Sequence, residues 1–331
     1  MKNYSFAKFC NSFLVLFGIW FGINMFFQAI FTIPFCMISY FIDKDFVKNM
    51  LFKNTVSSVD HPMLPALFLY GITTCVCFVF VGVLLLTKKN RMILKHMLSK
   101  KFSSISISIL IGLLFGGGIN FLCALVPILK GEIVLSVSNV FNIPGLIILL
   151  VLVFFQSTGE EIACRGLVMQ RLIYRYKKPW LALLLSSLVF GIMHLLNPGM
   201  TILSFLNLVI HGLMYALICY ALDNYYIAFA CHCGWNYMQN IVLGLPNSGN
   251  AASFSIFELV KNPADISLTY DPTFGVEGTL TALLLGVAID LILIFICIKT
   301  KKKKNIWAEA GLDIETDPLT NLLAKLKANP S

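Results

Sequence analysis

Residues 143–165 read IPGLIILLVLVFFQSTGEEIACR. From Ile143 to Phe155 no side chain is polar, and then Glu160, Glu161 and Arg165 follow within a few residues. At about 1.5 Å per residue, a helix of this length spans the roughly 30 Å hydrocarbon core of a bilayer. The rest of the chain repeats the pattern. Its 331 residues are 58% hydrophobic and 12% charged, with a mean hydropathy of +0.83. Soluble domains carry about 25% charged residues. A water-soluble globule of this size has no way to bury so much apolar surface, and a disordered chain is excluded on the same ground. The fold class is therefore all-α, a polytopic membrane bundle of about eight transmembrane helices.

Eight apolar segments meet the length requirement: 12–41, 62–87, 103–127, 143–165, 179–196, 201–222, 225–245 and 279–298. The first contains Pro34, which predicts a tilt or kink. The third contains Gly116-Gly117-Gly118, read either as a site of close helix packing or as a weakened helix. With eight spans, 19 of the 25 Lys and Arg residues fall on one side and five on the other, with Arg165 left inside the apolar band. The positive-inside rule then puts both termini in the cytoplasm of a multi-pass cell-membrane protein. The net charge of +9 is thereby explained by topology, which argues against a nucleic-acid partner. The first apolar run is longer than a signal-peptide core and is read as a retained span. Cysteines lie mostly within the spans and are read as small apolar fillers, and Cys231-x-Cys233 lacks the usual zinc-turn spacing.

Three parts follow from this reading. Residues 1–142 hold N-terminal spans without a motif, 143–298 hold the polar residues of interest, and 299–331 form a basic cytoplasmic tail. In the tail, Asp317-Pro318 precedes Leu319, Leu322, Leu323 and Leu326 on one helical face, which predicts either a surface-lying amphipathic helix or a mobile end.

Charges at bilayer depth cost roughly 2.5–3.5 kcal/mol each on insertion scales. Glu161 and Arg165 are four apart and can pair on one face. Glu160 is turned about 100° away and has no partner on its own helix by this reading. His194 lies in the fifth span, and His232 and Asn236, again four apart, lie in the seventh. Counted along the helices, Glu160, His194 and His232 fall in the middle band of the membrane. If the fourth, fifth and seventh spans meet, these groups form a centre able to activate water: a carboxylate base, imidazoles that share the proton or hold a metal, and an amide donor for an oxyanion. The competing signatures H-E-x-x-H, G-x-S-x-G and G-x-x-x-x-G-K-[ST] are absent. Asp290 in the eighth span is a lone carboxylate, read as a polar contact within the bundle, and His211 in the sixth is read as structural.

Together, Glu160-Glu161-x-x-x-Arg165, Phe190-x-x-x-His194 and His232-x-x-x-Asn236, in this order on successive apolar segments, resemble the CAAX protease and bacteriocin-processing family of intramembrane endopeptidases, the Abi family, which includes the type II CAAX prenyl endopeptidases. Two further stretches, 244–249 (GLPNSG) and 274–278 (FGVEG), look like bacterial members. The resemblance covers roughly 143–290 and implies a peptidase with its site inside the bilayer, acting on a membrane-associated or lipid-anchored peptide or protein. It implies that Glu160 and His194 activate water, His232 and Asn236 stabilise the oxyanion, and Glu161 and Arg165 orient the site. It leaves two forms open. Glu160, His194 and His232 can be read as a catalytic zinc set, or as a metal-free glutamate site. The second is preferred, because no outer partners of the histidines can be read. The alternative function is a non-catalytic membrane protein of the same fold, in bacteriocin immunity or as a partner in a membrane complex.

Overall fold

The computed structural model describes residues 6–53, 56–86, 88–99, 102–176 and 178–299. The expected tail helix lies outside these residues. The long helices are α1 (Phe6–Ile42), α3 (Met63–Leu85), α5 (Phe102–Leu129), α6 (Ile143–Glu161), α9 (Ile202–Leu222) and α11 (Leu280–Lys299). Shorter ones are α2 (Lys44–Lys53), α4 (Lys88–Met97), α7 (Gln170–Tyr176), α8 (Pro179–Met193) and α10 (Tyr225–Asn236). The protein is an all-α, multi-pass membrane bundle. Six described helices are long and apolar enough to cross a membrane. The fifth and seventh expected spans are the shorter α8 and α10, so length and composition alone do not give eight. Large apolar side chains such as Phe41, Leu114, Ile143 and Leu284 stay exposed around the bundle, which suits a lipid surround.

Local chemistry sets the helix ends. The Asn142 side chain accepts a hydrogen bond from Gly145 N at 2.8 Å and Pro144 follows in the first turn, so α6 starts there. Thr201 caps α9 by accepting from Ser204 N at 3.1 Å. Asp223 takes a left-handed conformation (φ 49°) after α9, and Asn224 caps α10. The helix α1 runs on through Pro34.

One extra element is a two-stranded antiparallel pair, β1 (Val134–Val137) with β2 (Phe257–Lys261), registered Ser136 to Glu258 and irregular beside Val134. It ties the segment after α5 to the long loop before α11. Lys261 Nζ donates to Gly131 O, and Ser267 and Thr269 donate to Glu132, which also pairs with Lys130. These donors hold the Glu132 carboxyl down at about 2, the lysine first among them. The opposite end of the bundle is joined by His96 with Asp223 at 3.1 Å and by Gln170 donating to the Tyr225 hydroxyl at 2.7 Å.

The glycine run in α5 serves close packing. A Cβ on Gly116 would sit 1.9 Å from Cys231 O, and one on Gly234 would sit 2.4 Å from Leu113 O. Backbones of α5 and α10 meet there, as small residues allow in membranes. On the other flank of the site, Gly159 lets α6 approach Cys77 of α3.

Candidate active site

The two carboxylates stand at the C-terminal end of α6. The next eight residues, Ile162–Met169, are π-helical. A second π-helical stretch, Tyr237–Val242, follows Asn236 at the end of α10. Such turns gather at functional sites, and neither was expected from the apolar pattern. His194 follows Met193, the last residue of α8, so the helix stops three residues before the expected residue 196.

Glu161 and Arg165 pair as their spacing predicted, Arg165 Nη1 donating to Glu161 Oε1 at 3.1 Å with both side chains fully buried. Arg165 Nη2 also donates to Gly212 O at 2.5 Å, and its guanidinium lies over the rings of Phe190 and Tyr215 at 4.9 and 5.6 Å. Glu161 Oε1 accepts from His232 Nδ1 at 3.0 Å as well. The His232 ring stacks on Tyr215, with centroids 4.9 Å apart and planes 15° apart. The pair therefore forms a floor that fixes the His232 ring.

Glu160 faces the other way. Against expectation it does have a partner on its own helix: Gln156 Nε2 donates to its Oε1 at 2.5 Å. Gln156 Oε1 in turn accepts from Ser157 Oγ at 3.2 Å and Asn236 Nδ2 at 3.3 Å. The other oxygen, Glu160 Oε2, is buried without a hydrogen-bond partner and lies 3.9 Å from both His194 Nε2 and His232 Nε2. His194 Nδ1 is 2.8 Å from Phe190 O. Because Phe190 O and the Glu161 carboxylate only accept, both Nδ1 atoms carry hydrogen, and both Nε2 lone pairs turn toward Glu160 in the neutral rings.

These groups line a cavity of about 270 Å³. Its wall includes residues the sequence reading did not assign to the site: Asn24 and Gln28 of α1, Tyr70 and Thr73 of α3, and Glu277. Asn24–Gln28 is another i, i+4 polar pair in an apolar run, so the rule that picked out Glu161–Arg165 would have found it. The Glu277 carboxylate accepts from Trp235 Nε1 at 2.6 Å and from Ser248 N and Oγ at 3.0 and 2.6 Å. That joins the two stretches 244–249 and 274–278 and folds the loop onto the cavity. His211, bonded to Asn207 O at 2.8 Å and lying against Trp235, lines the same space. Asp290 is not the polar contact expected: it is buried, and neither of its oxygens has a hydrogen-bond partner.

The outer partners of both histidines, not legible beforehand, are of the kind zinc ligands use. The spacing is not. Two ligands on one tetrahedral zinc lie about 3.4 Å apart, closer than the two 3.9 Å separations. Among the described residues no group of three His, Cys, Asp or Glu side chains is placed to hold an ion.

No curated protein and no solved structure matches the chain. Residues 142–238, the segment that carries Glu160, Glu161, Arg165, His194, His232 and Asn236, match the family described as Type II CAAX prenyl endopeptidase Rce1-like.

Proposed function

We propose that the protein is an intramembrane endopeptidase that hydrolyses a peptide bond in a membrane-associated or lipid-anchored peptide, bacteriocin precursors being one such class. The observation that carries this reading is Glu160 Oε2, unpartnered and facing two imidazole nitrogens across a cavity. Water between them gives a proton to Glu160, with His194 Nε2 accepting its second hydrogen bond. The water oxygen attacks the scissile carbonyl carbon, and the carbonyl π pair moves to oxygen. Asn236 donates to that oxyanion with the amide hydrogen it does not give to Gln156. His232, its ring held by Nδ1 donating to Glu161, turns Nε2 toward the same oxygen and donates to it when that nitrogen carries a proton. When the C–N bond breaks, the proton on Glu160 passes to the leaving amine, as general acid–base catalysis requires. Glu161 and Arg165 hold the His232 ring and touch no reacting atom.

We further read α8 and α10 as passes, giving eight with both termini cytoplasmic. In support, His96–Asp223 and Gln170–Tyr225 tie segments at one end, while β1–β2 and Asn197–Ser248 tie segments at the other. The 19-to-5 basic split agrees.

The test is cleavage of a degenerate acylated peptide pool by purified wild type and Glu160→Gln. Wild type should cut and the variant should not, at equal folded yield. Equal rates would overturn the mechanism. Turnover should also survive a chelator small enough to enter the cavity. Its loss, with recovery on added Zn²⁺, would reverse the metal-free reading.

A further inference from the structure

We infer that a water store between α1, α3 and α6 feeds Glu160, and that Asn24 and Gln28 are the positioning residues that hold its water. This rests on the peptidase reading and adds where the attacking water comes from. From Phe13 to Phe31 the only amide or charged side chains are Asn24 and Gln28. They stand four apart on one face of α1, with Gln28 Nε2 donating to Asn24 Oδ1 at 2.8 Å. That bond leaves Asn24 two amide hydrogens and Gln28 a carbonyl oxygen to offer. Amides at bilayer depth are costly unless polar groups meet them. Both residues line the active-site cavity, and both line a second, smaller cavity of about 30 Å³ that adjoins it. Thr73, Gln156 and Glu160 border the two spaces as well, so Glu160 stands where they join.

The small cavity has the chemistry and the size of a water site. A buried water needs about 10–15 Å³ and two to four polar partners, whereas an apolar void stays dry. About two waters fit here, with the Asn24 amide, the Gln28 carbonyl, the Thr73 hydroxyl and the Glu160 carboxylate as partners. Val76, Cys77 and Phe80, all buried, close the apolar far end. A space of this size is too small for a length of peptide backbone. A bound substrate therefore displaces water from the main cavity and leaves this store filled. Each hydrolysis consumes one water, and the next reaches the Glu160 carboxylate without passing the substrate. The amides are neutral, so they orient water without weakening the base, as a lysine or arginine in their place would.

The full-length protein in lipid nanodiscs would be tested in two ways. In hydroxyl-radical footprinting by water radiolysis, a sealed side chain is oxidised only where water lies beside it. Cys77, 2% exposed, should be oxidised in the wild type, whereas Cys123, 1% exposed and lining neither cavity, should not. Val76→Leu adds a methylene to the small cavity and should suppress the labelling of Cys77. On one cleaved peptide from the acylated pool, Val76→Leu and Gln28→Leu should each lower kcat by about 10–10²-fold with KM little changed, the scale of misplacing a reacting group by about 1 Å. Gln28 is only half-buried, so Gln28→Leu keeps the test decisive where Val76→Leu does not fold. An unlabelled Cys77 in the wild type, or wild-type kcat in the folded variants, would overturn the inference and leave the peptidase reading intact. So would a raised KM at unchanged kcat, which would assign Gln28 to the peptide. No cleavage by wild type would sink the peptidase reading and this inference with it.

Discussion

The floor and the wall of the cavity treat two adjacent carboxylates differently. On the floor, Glu161 is fully buried and shares one oxygen between Arg165 and His232, and Arg165 continues to Gly212 O and two aromatic faces. On the wall, one turn of 100° away, Glu160 has Gln156 on one oxygen and nothing on the other. Burying a charge is tolerable when it is paired and costly when it is not. The floor follows that rule and stabilises the bundle. The wall departs from it and keeps a basic atom available, which is the pattern expected of a reactive group.

Substitutions can break this contrast. The largest expected effect is on the wall. His194→Ala should lower turnover by about 10²–10⁴-fold, the range for removing a general acid–base partner, with folded yield and thermal midpoint unchanged. The floor should respond in the reverse sense. Arg165→Ala leaves Glu161 as an uncompensated buried charge and should destabilise the protein by about 3–5 kcal/mol. That would be read as a lowered thermal midpoint and less monodisperse protein in detergent. Arg165→Lys should rescue little, since a point charge replaces a fork that reaches both Glu161 and Gly212 O. A normally stable Arg165→Ala with lost turnover would instead place Arg165 on the substrate. Asn236→Ala should cost about 10²–10³-fold in rate, as for one oxyanion donor, with KM little changed. The smallest effect sharpens the comparison from outside it. Gly116→Ala forces a Cβ into the α10 backbone at Cys231 and should cost about 1–3 kcal/mol, whereas Gly118→Ala, with nothing within 4 Å, should be silent.

Much of this arrangement is legible along the chain because membranes make the physics severe. The helices α3, α9 and α11 lie within two residues of the expected spans 62–87, 201–222 and 279–298, since apolar length is what they answer to. The same severity singled out Glu160, Glu161, Arg165, His194, His232 and Asn236, which all reach the cavity or its floor. The fifth segment was read three residues too long, because apolar content does not register that α8 stops at Met193, whereas the seventh stays helical to Val242 as α winding gives way to π. Long-range partners were hidden for another reason. Nothing local ties Ser248 to Glu277 or Leu135 to Leu259; these pairings exist only once the helices bring distant loops to one end. The first two spans, without a motif, nonetheless supply Asn24, Gln28, Tyr70 and Thr73 to the wall, so they help to shape the site as well as enclose it.

The π-helical turns after Glu161 and Asn236 bear on how such a sequence can change length. A π stretch is an α-helix carrying surplus backbone, so losing one residue between 162 and 169 would let ordinary winding resume and would spare the helix itself. The loss would fall inside the stretch: if it came before Arg165, that residue would stand three positions after Glu161 instead of four and leave its place on the floor. Residues beyond the stretch would roughly keep their facing, because the tighter α turn makes up for the lost residue. Single-residue deletions ahead of Arg165 should therefore be tolerated by insertion and still be inactive, a signature that a deletion scan of this stretch would separate from the usual misfolded losses.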